Sequence, residues 1–285
     1  MRLITCLQDS RPIVAALAGM DHYVALPFAS MLDLVAAGDT GLASAQEALA
    51  RGPRRPLDRV RLLAPVPEPR RNILCLGWNY ADHSKEAAAS RGKELKLPTR
   101  PVFFTKATTA VLAPEATIPI HAEATQELDW EVELGIVLGP GGVNIPRERA
   151  MDHVFGYTII DDISARDVQT GHGGQFFKGK SLDGTCPMGP GLVTRDEVPR
   201  PQALRLACKV NGVLKQDGTT AQMIFDIPAI IEWLSKGMTL LPGDIIATGT
   251  PAGVGFARNP PEFLKPGDVV ECEVEGLGTL RNPVG

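Results

Sequence analysis

Four acids, Glu127, Asp129, Glu131 and Glu133, stand at alternate positions of one short segment, with Leu128, Trp130, Val132 and Leu134 at the places between and after them. Side chains on an extended strand alternate between its faces, so the acids project together and the apolar residues oppose them. Neighbours on one strand face lie about 7 Å apart, where two ionised carboxylates repel by about 2 kcal/mol at an effective dielectric near 20. A bound cation would convert that repulsion into affinity. The segment runs on into Gly135, Ile136, Val137 and Leu138, apolar on both faces, which predicts a buried strand end poorly screened by water. Spacing alone leaves a second reading open, because Glu271, Glu273 and Glu275 alternate in the same way around Cys272 and Val274 and read as a solvated sheet face. A further acid pair, Asp161 and Asp162, closes the apolar run 154–160 and favours the metal reading. Oxygen ligands from two strands, with no Cys or His pattern nearby, suit Mg²⁺, Mn²⁺ or Ca²⁺ rather than zinc.

Other groups could do chemistry. His83 and Glu86 are three apart on a plausible helix and share a face, an arrangement that raises imidazole basicity and fixes its tautomer, though surface pairs of this kind are common. Gly174, Gly179, Lys180 and Ser181 fit a phosphate-binding loop literally, yet glycines precede the motif and a Gly-Pro-containing stretch follows where a helix is required. Lys180 could instead face the acids, or be an ordinary surface lysine. The segment 248–255 ends a strand in a flexible turn able to bring backbone N–H groups and the Thr250 hydroxyl to an anion, with a plain connector as the alternative. Arg166 and Asp167 could equally be a structural ion pair, and Arg91 and Lys93, just past the helix of His83, could read a distal substrate carboxylate.

The elements that must hold these groups follow from periodicity and turn signals. A strand at 3–7 and helices at 30–37 and 44–51 form a small N-terminal unit, and prolines at positions 65, 67 and 69 force an extended connector, so the boundary is set at 1–65 and 66–285. Asn211-Gly212 predicts a two-residue hairpin, Pro242-Gly243-Asp244 and Pro266-Gly267-Asp268 each feed a strand, and 228–236 reads as a helix. With 285 residues the chain can bury a full core, and a net charge of −4 without clustered Lys or Arg gives no footprint for nucleic acid. Five separated cysteines read as reduced, packed thiols, and no apolar run is long enough for a signal or a membrane span, so a cytoplasmic protein is expected.

Taken in order, the segments 74–83, 131–133, 162–167, 179–181 and 248–255 resemble the fumarylacetoacetate hydrolase family over about residues 70–282. The resemblance implies a mainly β, α+β fold, a mixed β-sandwich or roll with a small N-terminal α+β domain, assembled as a homodimer. It makes Glu131, Glu133 and Asp162 the ligands of Mg²⁺ or Mn²⁺, excludes Glu127 and Asp129 from that set, and gives His83 and Glu86 the roles of base and orienting partner on a lid. Lys180 becomes the active-site lysine, Tyr80 and Gln169 substrate-side polar groups, and Thr250 part of the loop at the substrate carboxylate. The fourth acidic ligand of larger animal-type enzymes has no counterpart here. A small 2-oxo acid could chelate the ion through carboxylate and carbonyl, and hydrolysis of acylpyruvates such as fumarylpyruvate through an enolate is the expected reaction. The alternative is isomerisation or decarboxylation of 2-oxo or 2-hydroxymuconate-type diacids, oxaloacetate included, through the same enolate.

Overall fold

The computed structural model describes residues 1–90, 92 and 94–285. Its centre is the strand Val132–Leu138, buried at every position, which pairs antiparallel with Val154–Asp161 on one side and with Ile245–Ala247 on the other. Ile245–Ala247 in turn lies parallel to Ile73–Gly77, whose antiparallel partner Val102–Lys106 ends the sheet. On the opposite side Val154–Asp161 pairs with Cys186–Thr194, and this strand accepts Arg2–Gln8 through Leu3↔Leu192, so the N-terminal strands extend the same sheet of 12 strands.

Burial on both faces explains the unbroken apolar run at 134–138. Leu134 and Ile136 face a core shared with Leu206, Cys208, Val270 and Cys272 of a second, four-stranded sheet, which gives the sandwich. Val137 faces the other core, where Leu34 and Val35 of the helix Met31–Ala36 pack beside Leu3 and Val14. The fold is thus mixed α/β dominated by strands. The proposed boundary near residue 65 falls in the connector between Arg61–Leu63 and Ile73–Gly77, while sheet and core run across it.

Local signals act as the chain dictates. Asn211 (φ 53°) and Gly212 (φ 75°) make the tight turn between Arg205–Val210 and Val213–Thr219. Asp226 caps the helix Ile227–Ser235 by accepting the Ala229 N–H at 2.9 Å. The predicted helix at 44–51 begins earlier, at Gly38. Glu271, Glu273 and Glu275 do alternate with buried Cys272 and Val274 on a solvated face. All five cysteines are buried and unpaired, and among the described residues no helix is long and apolar enough to cross a membrane.

Candidate functional site

Strand direction gathers the site. Val132–Leu138 starts where its antiparallel partners Val154–Asp161 and Ile245–Ala247 end, and the parallel Ile73–Gly77 ends at the same edge. Asp162, the loop 248–255 and the helix Ala81–Ser90 therefore all leave the sheet beside Glu131 and Glu133. The acid stripe is not one continuous strand. Leu128–Asp129 pairs with Ser164–Ala165, the backbone breaks at Trp130 and Glu131, and the pairing restarts at Val132. The break is clasped from the other chain segment: Glu131 N–H donates to Asp161 Oδ1 at 2.9 Å and Asp162 N–H to Glu131 O at 2.9 Å.

Carboxylate oxygens of Glu131, Glu133 and Asp162 lie within 4.8 Å of one another, and all three residues are buried. Glu131 accepts from Arg166 at 2.6 Å and from Lys180 at 2.5 Å, and Lys180 also donates to Asp162 at 2.7 Å. Burial alone would raise the Glu131 carboxyl, but Lys180 and Arg166 reverse this and hold it below the usual carboxylate range. Glu133 takes only the Gly249 N–H, at 2.7 Å, and among the described residues no cation pairs with it. Burial, then the charges of Asp162 and Glu131, push its carboxyl well above the usual range. Burial likewise drives Asp161 up to about 7.

A histidine–glutamate pair sits over these acids. His83 Nδ1 is 3.0 Å from Glu86 Oε1, and the Gly253 N–H donates to both Glu86 oxygens at 3.0 and 2.9 Å. An ionised Glu86 only accepts, so Nδ1 carries the proton and Nε2 is left for the cleft. Trp78 stacks on the imidazole with centroids 6.3 Å apart, and Phe256 meets it edge-on at 6.5 Å. The cleft between the acids and His83, about 430 Å³ counting its open mouth, is lined by Trp78, His83, Glu131, Glu133, Arg166 and Lys180 among others.

The family model described as fumarylacetoacetate (FAA) hydrolase C-terminal matches residues 72–285. The chain belongs to the fumarylacetoacetate hydrolase family. It is 46% identical over 266 residues to oxaloacetate tautomerase YisK of Bacillus subtilis, covering 90% of this chain and 86% of that protein. A solved fumarylacetoacetate hydrolase from psychrophilic Exiguobacterium antarcticum is 43% identical, with a TM-score of 0.86 over 100% of this chain and 99% of that one. The 2-hydroxyhepta-2,4-diene-1,7-dioate isomerase of Mycobacterium marinum superposes with a TM-score of 0.78 at 34% identity, over 100% and 98% of the two chains.

Within this family member, geometry sorts the residues expected to act. Glu131, Glu133, Asp162, His83, Glu86 and Lys180 come together, and Lys180 is 2% exposed rather than a surface lysine. Gln169 reaches the cleft, where its Oε1 accepts from Arg166 at 3.2 Å. Thr250 also lines it, but its hydroxyl donates to the Val132 carbonyl at 2.9 Å and accepts from Gln216 at 2.8 Å, so that proton is not free for a substrate carboxylate. Tyr80 departs from expectation: it is buried, does not line the cleft, and its hydroxyl has no partner among the described residues. The Arg166–Asp167 pair is also corrected. Arg166 bonds Asp129 and Glu131, while Asp167 accepts from Thr125 and from the Gln126 N–H. The literal phosphate-loop match, 174–181, follows the short helix Arg166–Gly171 and itself contains the one-turn helix Phe177–Lys180, without the strand before it and the long helix after it that the motif needs. Arg91 and Lys93 lie outside the described residues. Lys106, unnoticed in the sequence, is wholly buried and donates to Asp162 Oδ1 at 2.7 Å and to the Ile163 carbonyl at 3.0 Å.

The donor set fits a hard dication. Five buried carboxylates, Asp129, Glu131, Glu133, Asp161 and Asp162, face three buried cations, Lys106, Arg166 and Lys180. The formal excess of negative charge equals one divalent ion. Oxygen-only ligation suits Mg²⁺, Mn²⁺ or Ca²⁺.

Proposed function

We propose that this chain interconverts tautomers or double-bond isomers of small 2-oxo diacids, with oxaloacetate as the first substrate to try. The observation that carries the reading is the His83–Glu86 pair held over the acid triad between the rings of Trp78 and Phe256, in a chain 46% identical to an oxaloacetate tautomerase. Those rings keep bulk water from the imidazole, which suits a base that works directly on a carbon acid. A Mg²⁺ or Mn²⁺ ion held by Glu131, Glu133 and Asp162 would, when bound, anchor the substrate's carboxylate and adjacent carbonyl and act on the latter as a Lewis acid.

The remaining steps belong to side chains of the protein. His83 Nε2 removes a proton from substrate C3, and Glu86, itself fixed by the Gly253 N–H, steadies the imidazolium that results. The Lys180 ammonium, desolvated among acids, offsets negative charge growing on the substrate oxygen. Return of the proton from His83 to oxygen or to carbon completes the exchange without an added water. A second reading, hydrolysis of acylpyruvates, has the 43% identical hydrolase structure in its favour, since the same pair could activate water.

The test is to give purified protein with Mg²⁺ or Mn²⁺ the enol of oxaloacetate and, separately, fumarylpyruvate, following enol absorbance and pyruvate. Accelerated enol loss with little pyruvate is expected, and His83→Ala should slow it by roughly 10²–10⁴-fold. Pyruvate released from fumarylpyruvate while oxaloacetate enol decays only as in buffer would replace this reading with the hydrolase. Pyruvate from oxaloacetate itself would mark a decarboxylase.

A further inference from the structure

Beyond its carboxylates the cleft is walled by four rings, Trp78, Phe104, Phe176 and Phe256, a third of the chain's nine phenylalanines and three tryptophans. Each is only half-buried. Such rings normally fill interiors; here, although Arg166 covers the Phe256 face at 4.4 Å and Trp78 stacks on His83, partly exposed rings line one side of the cleft, an apolar wall of the kind that takes an apolar group. Phe104 and Phe176 meet edge to face, centroids 5.6 Å apart and planes at 74°. The edge of Phe176 lies so close to Gly77 that a Cβ there would sit 3.3 Å from the ring.

Trp78 holds a φ of 62°, a costly conformation for a bulky residue. Its neighbour Asn79 fixes it: the Asn79 amide donates to the Phe225 and Thr248 carbonyls at 3.1 and 2.8 Å and accepts the Phe225 N–H at 2.8 Å. The indole is thereby kept within 25° of parallel to the His83 imidazole. Charge points the same way. Among the described residues, both cations lining the cleft, Arg166 and Lys180, are already ion-paired with Asp129, Glu131 and Asp162.

We infer that the cleft also enolises 2-oxo monoacids carrying an aryl group on C3, with phenylpyruvate as the simplest probe. This rests on the enolising site proposed above and extends it to a second substrate class. The C3–H bond breaks and its proton passes to His83 Nε2. Its electron pair forms the C2=C3 double bond while the carbonyl π pair moves to oxygen, which takes the proton back. Nothing is oxidised, reduced or released. An aryl group conjugates with the new double bond, so the ring that the wall accommodates also eases the transfer.

Keto–enol exchange of phenylpyruvate and of oxaloacetate is to be followed side by side with the metal-loaded protein, the wild type against Phe176→Ala and Phe176→Leu, the latter keeping apolar volume without a ring face. The wild type should accelerate both substrates, and each variant should lower the ratio of kcat/KM for phenylpyruvate over oxaloacetate at least tenfold. A wild type active on oxaloacetate but silent on phenylpyruvate, or a ratio unmoved in both variants, overturns the inference and leaves the proposed function standing. Silence on both substrates removes the two together.

Discussion

Lys106 stands at the end of an edge strand and yet is the most deeply buried cation of the site, its ammonium between Asp162 Oδ1 and the Ile163 carbonyl. Removing one partner of a buried pair leaves the other charge uncompensated, a loss of about 3–5 kcal/mol. Lys106→Met should therefore destabilise the metal-free protein by that order in urea unfolding, and a change below about 1 kcal/mol would mean that Asp162 finds another partner. The sequence disclosed Glu131, Glu133 and Asp162 because alternation and a known motif both marked them. It did not disclose Lys106, whose strand, Val102–Lys106, ends in a charge as solvated edge strands commonly do. Arg166 misled for a related reason: adjacency suggested Asp167, but residues next to each other on a helix do not share a face, and the guanidinium turns to Asp129 and Glu131.

At the scale of elements, the helix Ala81–Ser90 and the loop 248–255 meet through one backbone donor, the Gly253 N–H on Glu86. Gly253 has a φ of 107°, and a Cβ there would lie 2.1 Å from the Lys215 carbonyl oxygen. Gly253→Ala is expected to displace the loop, at a cost of about 1–3 kcal/mol in strain, and to loosen Glu86 from its donor. Oxaloacetate turnover should fall while Mn²⁺ affinity, measured by calorimetry, stays within twofold of wild type. Equal loss of both would show that the loop supports the acids rather than the helix of Glu86. The hairpin at Asn211-Gly212, the helix read at 228–236 and found at Ile227–Ser235, and the paired turns were legible because their turn residues have fixed backbone needs. The break at Trp130 and Glu131 was not, since alternation of polar and apolar residues continues through it and only the Asp161 side chain, distant in sequence, reveals the clasp.

At the scale of the whole molecule, one sheet drawing its strands from residues 2 to 247 lets strand termini deliver the acids, the His83–Glu86 pair and the loop to a single edge, and the surplus of buried carboxylates makes that edge one that could hold a cation. Glu133 carries the pH dependence. Burial, Asp162 and Glu131 favour its protonated form, so a metal ion must displace a proton there. Affinity should rise with pH through the raised Glu133 value and weaken in mildly acidic buffer. Titration calorimetry in two buffers of different ionisation enthalpy should register proton release on binding, and identical heats would deny it. The measurement that bears most directly on the whole account is anomalous diffraction from crystals grown with Mn²⁺ and oxalate. One peak is predicted, bounded by carboxylate oxygens of Glu131, Glu133 and Asp162, with oxalate between it and His83. Manganese bound elsewhere, or oxalate seated with no ion among those acids, would contradict it.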